Sequence, residues 1–419
     1  MTDDTEPLPI VAHPGEASGL LAAGSTAALD CWLAGLVHAQ TLPFAMTVIA
    51  RAGSICYWRW CGEHGAGHDV APATELLFRM YSMTKPVTAL TALLLEQQGV
   101  LDLAAPVEAV LPELAPWHAL NHPTAALADS VLLDQGPTLL QLLSHTSGIS
   151  YGDAHGAPVD QALARHMAAR PTLAGLLASL SELPLVFSPG SAWRYGFGLD
   201  LLGIAIMRVT GKSLGEVMRD LIFKPLAMND TRFELAYADQ QRLAALFQLD
   251  QPGTLTPVVG EPPLGPVPYP HRGQKSPDHW GGSGLVATAS DWLRFAELLR
   301  RVYRGENDPV ANPAVVRRMA TNQLPGDIAS LLPEGPQGFR EWMPFAGLGM
   351  GCGVWVAAEP SRLGWMSNPG EFGWGGYANT VFWVDPVADA SVLFLTQVMP
   401  SDRLGLRFDL HRLAARCLE

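Results

Sequence analysis

The chain has 419 residues, 48% of them hydrophobic and 16% charged, against roughly 25% charged in an average soluble protein; a chain this long and apolar buries a large core and is not disordered. At about 150 residues per domain, it holds two or three domains or one domain with a large insertion. Its 27 Lys+Arg and 40 Asp+Glu leave a formal charge of −13, which gives a polyanion no electrostatic foothold and argues against nucleic acid as a partner.

The first residues, MTDDTEPLPIVAHPGEASG, are acidic and carry prolines where a secretory signal has a basic start and an apolar run. Residues 1–19 therefore read as an N-terminal extension of a cytoplasmic protein. From Leu20 to Gln40 apolar positions recur at helical spacing, and Met46 to Gly62 reads as two strands joined around Ala52-Gly53. A polar glycine-rich loop (Glu63 to Gly67) and a short strand ending near Arg79 lead to an apolar helix from about Ser82 to Gln98, stopped by Gly99. Leu101 to about Ala245 shows helical patterns separated by Pro- and Gly-bearing turns, and few strands. Eight prolines between Gln251 and Asp278 predict a long ordered loop. A helix at Ser290 to Tyr303, with Ser290 as its N-cap, precedes three predicted strands, GMGCGVWVA, YANTVFWVD and SVLFLTQV, and a last amphipathic helix after Arg403. Every apolar run breaks within about 15 residues, short of a membrane span. The five cysteines (Cys31, Cys56, Cys61, Cys352, Cys417) are scattered without a C-x-x-C pair, so reduced thiols are expected, with no disulfide framework and no zinc site.

Several motifs compete for a chemical role. Gly148-Ile149-Ser150-Tyr151-Gly152 and Gly211-Lys212-Ser213-Leu214-Gly215 match the G-x-S-x-G nucleophile elbow, which requires a strand before it and a helix after it. Helical sequence precedes both, and Ser213 with Glu216 forms a capping box. His64/His68 and His118/His122 are four apart but lack the H-E-x-x-H frame of a metal site. Gly211-Lys212-Ser213 lacks the earlier glycine of a phosphate loop.

Ser82-Met83-Thr84-Lys85 is the stronger candidate. Residues three apart share one face of a helix, so the Lys85 amine reaches the Ser82 hydroxyl. Pro86, tolerated only in a first turn, sets Ser82 at or near the helix N-terminus, where backbone N–H groups favour developing negative charge. The bland alternative is a capping serine followed by a surface lysine.

The segments FRMYSMTKPVTALTALLLEQQGVLDLAAPVEAVLPEL, LLQLLSHTSGISYG, PGSAWRYGFGLDLLGIAIMRVTGKSLGEVMRDLIFKPLAMNDTRF, WGGSGLVATASDWLRFAELL and FGWGGYANTVFWVDPVADASVLFLTQ follow one another in the order and approximate spacing of the serine β-lactamase-like hydrolases. From Leu20 to its end the chain most resembles the family VIII carboxylesterases, which share the fold of class C β-lactamases and D-alanyl-D-alanine peptidases. The resemblance implies Ser82 as nucleophile, Lys85 as its base partner and Tyr195 as the second member of the acid/base pair. Which of the two deprotonates Ser82 stays open. Tyr195-Gly196-Phe197 stands where the peptidases carry Tyr-x-Asn, and Trp374-Gly375-Gly376 where they carry Lys-Thr-Gly. Losing the asparagine and the lysine removes the anchors for a substrate amide and carboxylate and points to neutral acyl esters. The resemblance further implies an oxyanion hole from the backbone N–H groups of Ser82 and Tyr377, with each donor worth roughly 3 kcal/mol. Substrate contacts are expected from Trp374, Gly375, Gly376, Phe197 and Trp193, and His145 is given no catalytic role.

The expected fold class is α/β: an antiparallel sheet flanked by helices (residues 20–100 and 246–419) with an inserted, mainly helical domain (101–245) and the site between them. The expected reaction is two-step ester hydrolysis on a small molecule, with no metal, cofactor, nucleic acid or membrane and with the oligomeric state open. A β-lactamase, D-amino-acid amidase or transacylase on the same fold, or a non-catalytic binding protein, is the alternative.

Overall fold

The computed structural model describes residues 11–12, 19–62, 75–251, 253–259, 278–334, 345–401 and 403–419. Residues 63–74 and 260–277, and with them His64, His68 and most of the proline loop, lie outside the described residues, as does most of the N-terminal extension.

An eight-stranded antiparallel sheet organises the molecule. Its strands are β1 (Val11–Ala12), β2 (Phe44–Arg51), β3 (Ser54–Gly62), β4 (Leu348–Met350), β5 (Trp355–Ala357), β6 (Phe372–Gly375), β7 (Val381–Asp385) and β8 (Ala390–Leu395), in the spatial order β1-β3-β2-β8-β7-β6-β5-β4. The first hairpin turns at Ala52-Gly53, both at positive φ (49° and 82°), as a two-residue hairpin turn requires. Strand β2 then pairs with β8 from Met46↔Leu395 to Arg51↔Ala390, so the two ends of the chain share one ladder. The apolar segment GMGCGVWVA, expected as one strand, is two: Gly351 to Val354 forms a turn, with Gly351 N–H donating to Val354 C=O (2.8 Å) and Gly353 at φ 70°. A continuous apolar run hides such a turn because both flanking strands are buried.

Successive side chains alternate between the faces of a sheet, and helices cover both. On one side lie α1 (Thr26–His38) and the C-terminal helix (Leu406–Leu418), whose His411 ring is sandwiched between Trp365 and Trp383 at 4.4 and 3.9 Å. On the other side Phe382 packs edge-on against Trp292 and Phe295 of the helix Ala289–Tyr303. That helix is capped by Thr288, whose side chain accepts the Asp291 N–H, two residues earlier than the serine expected.

Helix α2 (Thr84–Gln97) is buried on every side from Thr84 to Leu95, and a helix apolar all round belongs inside a protein. Its hydroxyls are satisfied locally: Thr88 donates to Gly281 C=O (2.6 Å), and Thr84 Oγ1 accepts Leu285 N–H (3.2 Å). Five further helices follow between α2 and residue 245: α3 (Leu139–Leu143), α4 (Pro158–Ala169), α5 (Leu173–Glu182), α6 (Gly198–Thr210) and α7 (Leu214–Met218). Helix α7 is started by the Ser213/Glu216 capping box. Two more complete the set, α8 (Ala289–Tyr303) and α9 (Pro313–Met319), before the C-terminal α10 (Leu406–Leu418). Among the described residues no helix is long and apolar enough to cross a membrane.

Candidate active site

The short strand Phe78–Arg79 pairs with Val286–Ala287, and Met80 N–H donates to Leu285 C=O (2.9 Å). Chain direction then changes at Tyr81, a non-glycine residue at φ 48°, a conformation that costs of order 1 kcal/mol and clusters at functional sites. Tyr81–Met83 forms a single 3-10 turn leading into α2. Helix α2 therefore begins two residues later than expected, with Ser82 in the turn and Lys85 in the first helical turn. Ser82 keeps part of its surface open, while Lys85 is fully buried.

Three side chains meet at Ser82. Lys85 Nζ lies 3.1 Å from Ser82 Oγ, and Tyr195 Oη donates to the same oxygen at 2.7 Å. Lys85 also donates to Tyr151 Oη (2.7 Å) and to Gly282 C=O (2.8 Å). An ammonium has three donors, and here three acceptors surround it. Its charge also sits 4.8 and 5.2 Å from the ring centroids of Tyr195 and Tyr151, within cation–π range.

Tyr195 precedes α6, and Tyr151 lies in the loop after α3. The two loops cross in backbone contact: Phe197 N–H donates to Ser150 C=O (3.3 Å), and a Cβ on Gly196 would come within 2.1 Å of Ile149 C=O. That crossing sets both tyrosines beside Lys85. Sequence reasoning missed Tyr151, which it read only as a variable position in a G-x-S-x-G match. Ser150 of that motif is buried, its hydroxyl accepting Gly152 N–H (3.1 Å).

A second missed residue is Asp200, on α6 and 1% exposed. One of its carboxylate oxygens accepts Gly282 N–H (2.8 Å), so the residue whose carbonyl holds Lys85 is itself held by Asp200. Burial raises Asp200 to about 6 despite the opposing pull of Lys85. The signal available in the sequence was a lone carboxylate within the apolar run GLDLLGIAIM.

Aromatic rings back the site. His145 (φ 57°) packs against Tyr195, Trp374 and Trp193, with centroids at 4.8, 6.1 and 6.0 Å. Burial, reinforced by the Lys85 cation, pushes His145 well below its usual range, so it is a neutral packing ring. Trp193 also meets Phe345 at 5.6 Å. Trp374 and Phe197, expected to touch substrate, expose no surface. Trp374 lies behind Tyr195 (5.8 Å) and Phe197 behind Tyr151 (4.5 Å), so both stand one layer back from Ser82. His122 faces Glu334, and Ser213 caps α7.

The end of β6 closes the site. A Cβ on Gly376 would lie 2.5 Å from Met80 C=O, which sets this strand end in backbone contact with the Ser82 turn. Tyr377 follows, its ring 6.2 Å from that of Tyr81.

A sheet stitched from both chain ends, with a serine, lysine and tyrosine meeting at the start of a buried helix, defines a β-lactamase/transpeptidase-like protein. The Beta-lactamase family profile matches residues 29–416, and the chain belongs to that family. It is 31% identical over 394 residues to esterase EstB of Burkholderia gladioli, covering 91% of this chain and 92% of EstB. It is 30% identical over 367 residues to an uncharacterized protein of Mycobacterium tuberculosis, covering 86% and 87% of the two chains. Among solved structures, EstCE1, a hydrolase with promiscuous acyltransferase activity, superimposes with a TM-score of 0.75 over 94% of this chain and 98% of EstCE1, at 24% identity.

Proposed function

We propose that the protein is a carboxylesterase of the family VIII type, cleaving short-chain esters of neutral acids through an acyl-enzyme on Ser82. The observation that carries this reading is the convergence of Tyr195 Oη and Lys85 Nζ on Ser82 Oγ, at 2.7 and 3.1 Å. With its three N–H groups taken up by Ser82, Tyr151 and Gly282, Lys85 acts as the cation that stabilises Tyr195 as a phenolate once the phenol proton has passed to solvent, and the phenolate takes the Ser82 proton. Ser82 Oγ bonds to the carbonyl carbon, and the carbonyl electron pair moves onto oxygen. The N–H groups of Ser82 and Tyr377 receive that oxyanion. Tyr195 returns the proton to the alcohol oxygen as the C–O bond breaks. Water then repeats the cycle on the acyl-enzyme and releases the acid.

Apolar Trp374 and Phe197, in place of the lysine and asparagine of the peptidases, support a neutral substrate. An alcohol can replace water as the acceptor of the same acyl group. The acyltransferase activity described for EstCE1 supports that side reaction.

The wild-type protein should hydrolyse p-nitrophenyl acetate and butyrate and take up a fluorophosphonate at Ser82, and Ser82→Ala should do neither. Ester turnover surviving in Ser82→Ala overturns the nucleophile. Nitrocefin turnover outpacing ester hydrolysis would make the protein a β-lactamase instead. A wild type inert to esters and probe alike would leave a binding protein.

A further inference from the structure

The two glycines that follow Trp374 are small for different reasons, one on each face of the sheet. Gly376 faces the nucleophile turn, where a Cβ would strike Met80 C=O. Gly375 faces α10, and a Cβ there would lie 2.3 Å from Nη2 and 2.6 Å from Cζ of Arg407. The Arg407 guanidinium therefore lies directly on the Gly375 backbone. Arg407 belongs to the first turn of α10 and is 7% exposed. Its Nη2 donates to the carbonyl of Gly376 at 3.3 Å.

That carbonyl shares a peptide unit with the N–H of Tyr377. Among the described residues only the bonds preceding Pro116 and Pro400 are cis, so this peptide is trans, and its C=O and N–H point in opposite directions. We infer that Arg407 is a positioning residue for the oxyanion site: it holds the Gly376–Tyr377 carbonyl from the far face of the sheet and so aims the Tyr377 N–H at the ester oxygen. A peptide bond following two glycines has little intrinsic preference for one orientation, and the guanidinium supplies it. A charge-assisted hydrogen bond to the carbonyl also polarises the peptide and strengthens its N–H as a donor. Negative charge developing on the substrate thus feels a cation that never touches it. The inference rests on Ser82 as the acylated nucleophile and on Tyr377 N–H as an oxyanion donor.

The test uses Arg407→Gln and Arg407→Lys in the full-length protein, with circular dichroism and thermal melting to establish folding. Kinetics on p-nitrophenyl butyrate are combined with inhibition by an alkyl boronic acid, which forms a tetrahedral adduct on Ser82. In Arg407→Gln, kcat should fall about tenfold or more, less than the hundredfold or greater loss on deleting an oxyanion donor outright. KM should stay within about twofold, because the donor acts on the tetrahedral state, and boronate affinity should fall by the same factor as kcat. Arg407→Lys, which keeps a cationic donor, should recover most of both. If Arg407→Gln does not fold, Arg407→Met, which keeps the alkyl stem but has no donor, carries the test through the Tyr377 amide ¹H–¹⁵N resonance, which should move on boronate binding in wild type and move less in the variant. An unchanged amide response would overturn the inference. So would an active wild type whose Arg407→Gln variant keeps kcat and boronate affinity within twofold. A wild type that neither hydrolyses the ester nor binds the boronate would overturn the serine-hydrolase reading itself.

Discussion

Ser82, Lys85 and Tyr195 are legible in the sequence because short-range geometry and ordered motifs fix them: a three-residue spacing on a helix start, and a tyrosine in a shared block. Tyr151 and Asp200 are not, since each acquires its role only through a partner more than 60 residues away. Asp200 also makes a measurable demand on the fold. Its folded value of about 6 exceeds the ordinary 3.8, so between those values the native state binds more proton than the unfolded chain. Its contribution to stability is fully present below about pH 4 and is lost as pH rises through 6. Asp200→Asn cannot ionise. The melting temperature of that variant relative to wild type should therefore climb from pH 4 to pH 7, and a difference that is flat or falling over that range would mean that Asp200 is already ionised in the fold at pH 4.

At the scale of elements, α2 and β6 matter most, because the site is the line where the start of one meets the end of the other. The apolar helix after Ser82 is readable from composition, and so is its stop at Gly99 (φ 71°). Its true start at Thr84 is not, because the 3-10 turn is imposed by the strained Tyr81 and by the pairing of Met80 with Leu285. The Trp-Gly-Gly sequence is visible, yet nothing local says that Gly376 is small to admit Met80. Gly376→Ala should force β6 and the Ser82 turn apart, since the clash is with backbone and with Thr380 Oγ1 at 2.2 Å. The expected cost is about 1–3 kcal/mol of stability, read as a lower denaturation midpoint, together with a fall in kcat larger than any change in KM. A variant with wild-type kcat would show that this contact has no part in the site.

The whole molecule is held by one ladder between β2 and β8, and one hydrophobic cluster runs from Leu29 to Leu418 through both the sheet and the helices α2 to α7. The helices α2 to α7 cannot leave the sheet without exposing part of that cluster. Thermal unfolding followed by tryptophan fluorescence and by far-ultraviolet circular dichroism should therefore give coincident transitions. Two separated transitions would show that the helical region between residues 101 and 245 unfolds by itself.

By itself the sequence determined the fold class, the alternation of sheet and helix along the chain, and the three side chains that meet at Ser82, because these depend on periodicity, on first-turn chemistry and on ordered blocks of residues. It also determined that Trp374 and Phe197 are apolar where related peptidases are polar, but not that both are buried one layer behind the site. Only the tertiary structure decided that, along with Tyr151 as the third acceptor of Lys85, the Asp200–Gly282–Lys85 chain, and Arg407 reaching across β6 to the peptide that follows it. All of these are contacts between residues far apart in the chain, and the distance between them is set by packing, which no local pattern encodes.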